Sequence, residues 1–425
     1  MLDIKLIREH PEIVKHSLER RKDAEKISWL MKLIKLDKRY LKLKQNVEEL
    51  RRQRNIVSDE INQLQKQKKN IKEKIKEIKE IPKLIKETEE KLQKTKQEID
   101  FYMMRLPNIL HKSVPYGKDD SENVEIKKWG KIPKFDFELK PHGELIENLE
   151  IGNFDKAAEV SGAGFHYMTG PLAHLNLALM QFAVDSLVKK GFKLFIPPLM
   201  LNKHAYEGVT DLADFENVMY KIEDEDLYMI ATSEHPIAAY LMNEVIQENK
   251  LPLKIVGLSP CFRKEIGSRG IDTKGLFRTH QFWKVEQFIF CKPEDSWKYH
   301  EELQRNSEEL YEKIGIPYRV VNICTGDIGI IAAKKYDIEA YFPRQKNYKE
   351  VGSNSNCTDY QARRLKIKYL DKKGKRALVH TLNNTAIATS RTIVAILENY
   401  QQKDGSVKVP EVLQKYAGFK TIKRE

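Results

Sequence analysis

Glycine is missing from the first 116 residues, and this gap divides the chain into two parts. All 20 glycines follow Tyr116, and the prolines before Val114 are limited to Pro11, Pro82 and Pro107. Because glycine and proline are the residues that most disfavour helix, the amino-terminal part is predicted to be helical throughout.

Cysteine, long apolar runs and common nucleotide motifs are also scarce or missing. The four cysteines are far apart, with no CxxC pair and no histidine at zinc-finger spacing, so neither a disulfide framework nor a zinc finger is predicted. No run approaches the roughly 18 apolar residues of a membrane span, and the first residues lack the apolar core of a signal peptide. No GxGxxG or GxxxxGK[ST] motif occurs. We expect a soluble, cytoplasmic protein with neither a Rossmann nor a P-loop nucleotide site.

Positive charge is what the chain has in excess. The formal net charge is +13 and the pI is about 9.2. Residues 31–100 contribute 21 Lys or Arg against 13 Asp or Glu. Such a surface suits a polyanion such as nucleic acid, although an ordinary solvated coiled coil is often equally rich in charge.

Two heptad patterns predict a helical hairpin over about residues 28–106. Because its two helices must be similar in length, the turn is expected near residues 65–70, where QKQKKN contains no apolar residue. Pro82 is a competing signal, since proline favours the first turn of a helix. Each helix would extend about 55 Å at 1.5 Å per residue. The apolar positions of the patterns are Trp29, Leu33, Leu36, Tyr40, Leu43, Val47, Leu50, Val57, Ile61 and Leu64, then Ile85, Thr88, Leu92, Thr95, Ile99, Tyr102 and Leu106.

A mixed helix and strand region follows the linker after Pro107. Helical patterns occur at residues 174–190, 296–314 and 389–400, and β-rich runs at residues 193–196, 253–258, 282–290 and 318–323. Because strands and helices do not alternate regularly, a largely antiparallel sheet is favoured over a doubly wound one.

The densest polar segment is CFRKEIGSRGIDTKGLFRTHQFWKVEQFIF, residues 261–290. We interpret it as a strand, a loop and a returning strand, with Arg263 and Glu265 on one face. An isolated Arg-x-Glu would be no more than a surface ion pair. Here Arg269, Lys274 and Arg278 add a cationic lining suited to a triphosphate, and Phe282 could stack on a base.

Three further segments carry polar groups. Thr232, Ser233 and Glu234 follow a short strand and by themselves form only a helix N-cap pattern. The segment EVGSNSNCTDYQARR from Glu350 is predicted to be a polar loop leading into a strand or helix. In LNNTAIATSRT, Arg391 is near the start of a helix, where the helix dipole disfavours a cation, so a role other than helix stability is expected.

These segments, in this order, resemble the seryl-tRNA synthetase family of class II aminoacyl-tRNA synthetases. The resemblance also covers the beginning MLDIKLIREHPEIV and the arm ending LPNI, so it extends over essentially the whole chain. It implies an α+β fold with a mainly antiparallel sheet of six to seven strands flanked by helices. The expected domains are a tRNA-binding domain with a coiled-coil arm at residues 1–112 and a catalytic domain at residues 113–425. The segment GFKLFIPP, residues 191–198, resembles the family's dimer-interface motif, which implies a homodimer.

The resemblance implies ATP-dependent attachment of L-serine to tRNA(Ser) through a seryl-adenylate, and service of tRNA(Sec) as a further possibility. Arg263 and Arg391 are the implied catalytic cations, and Glu350 and Ser353 the implied Mg²⁺ ligands. No zinc is expected. The implied ATP-binding residues are Arg263, Lys264, Glu265, Thr279, Phe282, Glu350, Val351, Gly352, Ser353 and Arg391.

Serine recognition is implied for Thr232, Ser233, Glu234, Arg263, Glu286 and Thr385. A site that satisfies the serine hydroxyl can reject alanine, because its polar groups would be left unpaired. The sequence departs from the most frequent family pattern at Thr385, where serine followed by glycine is common, and at Gly352.

Three alternatives remain. Related proteins load an activated amino acid onto a carrier protein, but they lack a long arm. A non-catalytic relative would be expected to have lost Arg263, Glu265 or Arg391, and all three are present. A coiled-coil scaffold or DNA-binding protein would leave the last three hundred residues unexplained.

Overall fold

A computed structural model describes residues 1–211, 217–265 and 275–424. The chain forms two compact units, Met1–Ile109 and Leu110–Glu425. No helix in the described part of the chain is long and apolar enough to cross a membrane.

The first unit is helical. Its helices are α1 (Ile4–Glu9), α2 (Pro11–Arg20), α3 (Ala24–Lys66) and α4 (Lys72–Met103). The side chains of Asp3 and Asp23 cap α1 and α3 by accepting hydrogen bonds from main-chain N–H groups of the first turn. The chain leaves the helical conformation between Lys66 and Lys72. Pro82 lies inside α4, so this proline does not mark a helix start.

The two long helices pack through apolar side chains, which include the predicted positions Val57 and Ile85. Val57 of α3 and Ile81 and Ile85 of α4 form a buried cluster towards the turn. Ion pairs tie the same helices together on the outside, with 2.7 Å between Arg51 and Glu89. Such exposed pairs contribute little, so the apolar seam is the main source of hairpin stability.

The second unit is built on an eight-stranded sheet with the order β1-β10-β11-β12-β15-β9-β8-β4. All neighbours in it are antiparallel except β4 and β8, so the α+β prediction with a largely antiparallel sheet is confirmed. The strands are β1 (Val124–Trp129), β2 (Gly152–Asn153), β3 (Tyr167–Met168), β4 (Lys193–Phe195), β5 (Met200–Asn202), β6 (Leu227–Met229), β7 (Val245–Gln247), β8 (Leu253–Phe262), β9 (Gln281–Cys291), β10 (Tyr318–Asn322), β11 (Lys334–Phe342), β12 (Asn347–Thr358), β13 (Lys368–Leu370), β14 (Arg376–Leu378), β15 (His380–Ala388), β16 (Val407–Lys408) and β17 (Thr421–Ile422).

Helices cover the sheet and complete the main core. The α-helices of this unit are α5 (His142–Asn148), α6 (Phe154–Ser161), α7 (Gly170–Val188), α8 (Lys203–Val209), α9 (Glu234–Ala239), α10 (Ser296–Ile314), α11 (Tyr360–Leu365), α12 (Thr389–Asn399) and α13 (Glu411–Ala417). Apolar residues of α7, α10, α12 and α13 pack against apolar residues of β9, β11 and β15.

Alternation along the central strands creates a polar face on the sheet. On β11, Tyr336 and Ile338 belong to the core, whereas the intervening Asp337 lines a cleft. On β15, Leu382 belongs to the core and Asn383 lines a cavity. Because strand side chains alternate between faces, polar residues two apart are brought to the same side.

Two local predictions were wrong. The segment from Glu350 is not a loop, because it lies in β12, where it pairs with both β11 and β15. Its polar side chains resemble a loop in sequence, but they find partners between two strands. Arg263 and Glu265 do not lie in a strand either, since β8 ends at Phe262 and Glu265 has a left-handed φ of 45°.

Candidate active site

A cavity of about 360 Å³ lies on the polar face of the sheet. Strands β9, β11, β12 and β15, the start of α9, the segment that follows β8 and the beginning of α12 all contribute to its lining. It brings together most of the residues predicted from the sequence, namely Thr232, Glu234, Arg263, Glu265, Thr279, Phe282, Glu350, Val351, Gly352, Ser353, Thr385 and Arg391.

Three predicted residues do not line the cavity. Ser233 is fully buried against Gly257, where an added Cβ would lie 2.6 Å from its Oγ. The main-chain N–H of Lys264 donates to the carbonyl of Val218 at 3.0 Å. Glu286 lies behind the cavity wall, fully buried and bonded to residues that do line it.

One end of the cavity is cationic. The guanidinium of Arg391 donates from one nitrogen to the carbonyl oxygen of Glu350 at 2.8 Å and lies 3.3 Å from its carboxylate. The Arg263 guanidinium lies over the ring of Phe282, 5.3 Å from its centroid, and donates to the carbonyl of Ala231 at 3.4 Å. Two planar guanidiniums in one cavity can grip phosphate and carboxylate oxygens.

The charge of Glu350 is set by these cations. Partial burial would raise the pKa of its carboxyl group, but the charges of Lys335, Arg391 and Arg263 outweigh that effect and lower the pKa. Glu350 is therefore ionised at neutral pH and offers oxygen ligands to a hard cation.

Two oxygen-bearing side chains in the cavity could hold a metal ion. Glu350 and Ser353 both face the cavity from β12 with oxygen atoms, which suits Mg²⁺ held jointly with phosphate oxygens. Within the described ranges, no group of three or more His, Cys, Asp or Glu side chains could hold a metal ion.

Next to the cations is a site for a flat ring. Phe282 and Thr279 line the wall, and Thr279 donates to the carbonyl of Gln281 at 3.0 Å. The Glu265 carboxylate lies 3.7 Å from Arg278. Arg269 and Lys274, which were predicted to extend the cationic lining, lie outside the described residues.

The other end of the cavity has one carboxylate in its lining, that of Glu234, and a second, that of Glu286, buried behind its wall. The amide nitrogen of Asn383 donates to Glu234 at 3.0 Å and to Glu286 at 3.2 Å. Lys284 forms an ion pair with Glu286 at 2.8 Å, and Thr385 donates its hydroxyl to the same oxygen at 3.2 Å. Burial, reinforced by the charge of Glu286, raises the pKa of Glu234 to about 7. This end is suited to a group that is both cationic and hydroxylated.

Sequence reasoning missed several of these residues. Lys284 and Asn383 precede Glu286 and Thr385 by two positions on β9 and β15, so strand alternation would have found them. Lys335 lines the cavity and pairs with Asp337 at 3.1 Å. No motif marks Lys335, because it reaches the site only through the pairing of β11 with β12.

Comparisons with known proteins cover the whole chain. Residues 1–110 match the seryl-tRNA synthetase N-terminal domain, and residues 219–400 match the tRNA synthetase class II core domain (G, H, P, S and T). A serine–tRNA ligase of Methanocella arvoryzae is 55% identical over 418 residues, covering 98% of each chain. One from Pyrococcus horikoshii is 50% identical over 443 residues, covering 99% of this chain and 97% of its own. The crystal structure of seryl-tRNA synthetase from Pyrococcus horikoshii complexed with ATP has a TM-score of 0.96 at 49% identity and covers 100% of both chains.

Proposed function

This chain belongs to the seryl-tRNA synthetase family, and on that premise we propose that it attaches L-serine to tRNA(Ser) in two steps through a seryl-adenylate. The observation that carries the proposal is the division of one cavity into a cationic end, with Arg263 and Arg391, and a carboxylate end, with Glu234 and Glu286 behind it. The first end suits ATP, and the second suits the amino and hydroxyl groups of serine.

In the first step, a serine carboxylate oxygen attacks the α-phosphorus of ATP. The bond to the β-phosphate breaks, and pyrophosphate leaves with the bonding electron pair. Arg263 would hold the α-phosphate and the serine carboxylate, while Arg391 would neutralise the departing phosphates. Bound Mg²⁺, held by Glu350, Ser353 and phosphate oxygens, would neutralise charge on the triphosphate.

We assign adenine to the part of the cavity wall formed by Phe282. The adenine ring would stack on the Phe282 ring, and Glu265 would accept a hydrogen bond from the exocyclic amine of adenine. Thr279 would lie beside the adenine ring. Val351 and Gly352 complete the wall along β12. We assign no side-chain contact to Lys264.

Serine is assigned to the carboxylate end. Glu234 and Thr232 would receive its ammonium group, with Glu286 and Thr385 directed to the ammonium and hydroxyl groups. Because the Ser233 side chain is buried away from the cavity, we assign it no direct contact.

In the second step, a ribose hydroxyl at the tRNA 3′ end attacks the seryl carbonyl and releases AMP. The hairpin within residues 1–112 is assigned to tRNA binding, because residues 31–100 hold 21 Lys or Arg against 13 Asp or Glu. The same arm favours tRNA over a carrier protein as acceptor. On the same family assignment we propose residence in the cytoplasm, with service of tRNA(Sec) as a further possibility.

A homodimer is proposed through residues 191–198. Within this segment Leu194 is 40% exposed and Ile196 is 76% exposed, which favours burial against a partner. Sedimentation of the purified protein should give twice the chain mass, and a monomer at micromolar concentration would contradict this part of the proposal.

The activity is tested by exchange of labelled pyrophosphate into ATP. With Mg²⁺ present, exchange should require serine, and alanine, threonine and cysteine should replace it poorly. Absence of serine-dependent exchange would refute the activity. Deletion of about residues 32–102 should preserve exchange while abolishing charging of tRNA(Ser), and equal loss of both would assign the arm a structural role.

A further inference from the structure

A buried histidine outside the cavity holds the main chain that leads into it. His142, the first residue of α5, is 0% exposed, and its Nε2 accepts a hydrogen bond from the main-chain N–H of Leu276 at 3.1 Å. Leu276 is also 0% exposed and belongs to the main core. Because a buried N–H without an acceptor is costly, this bond fixes the chain immediately before Phe277, which lines the cavity.

The adjacent Gly275 brings the main chain against the same ring. Its φ of +149° lies in a region that favours glycine, and an added Cβ atom would clash with Nε2 of His142. A residue with a side chain could therefore replace Gly275 only if the chain moved away from the histidine. His142 thus holds residues 275–276 by close packing as well as by a hydrogen bond.

The second ring nitrogen of His142 faces α12. Because Nε2 accepts a hydrogen bond, the ring proton is on Nδ1, which lies 4.0 Å from a carboxylate oxygen of Glu398. Glu398 is 0% exposed and accepts a hydrogen bond from the main-chain N–H of Arg344 at 3.3 Å. A carboxylate fixed in this place favours the tautomer of His142 that can accept from Leu276.

The chain before His142 is tied to the end of the same helix. Gln401 is 2% exposed and follows α12 closely. Its side chain accepts from the main-chain N–H of Lys140 at 2.9 Å and donates to the Lys140 carbonyl oxygen at 3.2 Å. His142 is therefore held beside the carboxyl end of α12 both through its ring and through the preceding main chain.

The other end of α12 carries Arg391. Glu398 follows Arg391 by about two turns of helix, so both side chains project from one face. The Arg391 guanidinium lies over the ring of Phe277, 5.1 Å from its centroid. This helix face therefore meets His142 at Glu398 and Phe277 at Arg391, and residues 275–276 connect the two contacts along the chain.

Resting on the proposed function, we propose that His142 is a positioning residue of the ATP site, which holds residues 275–276 against α12 and so sets Phe277 beneath the guanidinium of Arg391. It is buried behind the cavity and acts through these residues. An aromatic ring under a guanidinium restrains its orientation, and the direction of the guanidinium donors determines how well they hold phosphate oxygens. Displacement of Phe277 would therefore weaken ATP binding and leave the serine contacts unchanged.

The test is steady-state pyrophosphate exchange with His142→Leu and His142→Gln. Leucine cannot accept from the Leu276 N–H, so the KM for ATP should rise about tenfold, while the KM for serine stays within about twofold. The amide oxygen of glutamine can accept the same bond, so the ATP KM of His142→Gln should stay within about threefold of the wild-type value. A wild-type ATP KM in His142→Leu, equal defects in both variants, or an equal rise in the serine KM would overturn the proposal.

The matched control is His300→Leu. His300 is also 0% exposed, its Nε2 lies 3.3 Å from the carbonyl oxygen of Asn354, and its ring stacks on Tyr336 with 4.8 Å between centroids. This variant should lower the Tm without raising the ATP KM. An ATP KM that rises as much as in His142→Leu would show that loss of any buried histidine has this effect, which would contradict a specific role for His142.

A double-variant cycle tests whether His142 acts through Phe277. Phe277→Leu removes the ring beneath Arg391 and should itself raise the ATP KM. Adding His142→Leu to Phe277→Leu should then raise the ATP KM little further, because residues that act through one contact are not additive. Additive effects on the ATP KM would exclude the placing of Phe277 as the role of His142.

Gln401→Ala decides the question if His142→Leu does not fold. It removes both hydrogen bonds to Lys140 and leaves the His142 ring intact, so the ATP KM should rise by about threefold with the serine KM unchanged. An unchanged ATP KM would then count against the proposal. If the wild-type protein has no serine-dependent exchange, the proposed activity itself fails; if the wild type is active and these variants equal it, only the positioning role fails.

Discussion

Gly352 faces Thr385 so closely that a Cβ atom at position 352 would lie 3.0 Å from the Thr385 carbonyl oxygen and 3.2 Å from its Cβ. These are the two positions where the sequence departs from the most frequent family pattern. The Thr385 hydroxyl also donates to Glu286 at 3.2 Å. A side chain at position 352 that displaced Thr385 would therefore disturb its hydrogen bond to this carboxylate. The departures are therefore neighbours across β12 and β15, and a side chain at position 352 would press on the main chain and the Cβ of Thr385.

Gly352→Ala should raise the serine KM about tenfold, because overpacking would shift Thr385. Adding Thr385→Ser should recover only part of the loss, because a side chain without the methyl group can shift more easily while the contacted carbonyl oxygen and Cβ remain. Gly329→Ala is the control, because a Cβ there meets nothing within 4 Å. Additive effects of the two changes in exchange kinetics would show that the positions are independent.

Serine binding should weaken in acid. The pKa of Glu234 is raised to about 7, chiefly by burial and then by the charge of Glu286, while Lys284 and Arg263 oppose the rise. A carboxyl group is neutral below its pKa, so the serine KM should rise by about tenfold per pH unit below 7. Glu234→Gln should bind serine weakly with a flat pH profile.

Protonation of the neighbouring His235 cannot account for a change in the serine KM between pH 8 and pH 6. Burial lowers the pKa of His235 to about 3, so its ring remains neutral throughout this range. The KM for ATP provides the internal control. A wild-type serine KM that is constant from pH 8 to pH 6 would contradict the assignment to Glu234.

Arg391→Ala should lower the rate of serine-dependent exchange by about a hundredfold to a thousandfold, the usual cost of removing one stabilising donor from a transition state. Arg391→Lys should retain only part of the wild-type exchange rate, because lysine keeps the charge but loses the planar donor group. Arg305→Ala is a suitable control, since Arg305 pairs with Glu312 on α10 at 2.6 Å. Equal exchange rates in Arg391→Ala and Arg305→Ala would show that Arg391 does not stabilise the departing phosphates.

Ile85→Ala should loosen the hairpin. Ile85 is 8% exposed within the cluster of Val57 and Ile81, and truncation of such a side chain costs about 2–5 kcal/mol of local stability. Amide exchange in α4 should accelerate and tRNA(Ser) charging should fall, with serine-dependent exchange unchanged. The adjacent Leu84 is 46% exposed, so Leu84→Ala should leave amide exchange in α4 near the wild-type rate. Equal effects of both variants would argue against the buried seam as the stabilising element.

Several features of the protein can be predicted from the amino-acid sequence alone. Absence of glycine and a heptad spacing are local properties, so a long helical pair is visible without a structure. Arg263, Phe282 and Glu350 were identified through motifs, and the cavity brings them together. The antiparallel character of the sheet also followed from the irregular order of strands and helices.

Other features depended on pairing between distant strands. The polar segment from Glu350 resembles a loop, but it is held between β11 and β15, where its side chains find partners far away in sequence. Ser233, adjacent to two cavity-lining residues, points instead towards Gly257. Side-chain direction at such a helix start depends on the packing around it.

The sequence by itself determined the helical arm, the fold class and the motifs that supply cations and carboxylates, because each is encoded in composition, period or short spacing. Only the tertiary structure decided that Asn383 bridges Glu234 and Glu286, that Gly352 lies against Thr385, and that Lys335 joins the site. These relationships join residues on different strands and helices, and a contact of about 3 Å between them depends on register and packing that no local pattern contains.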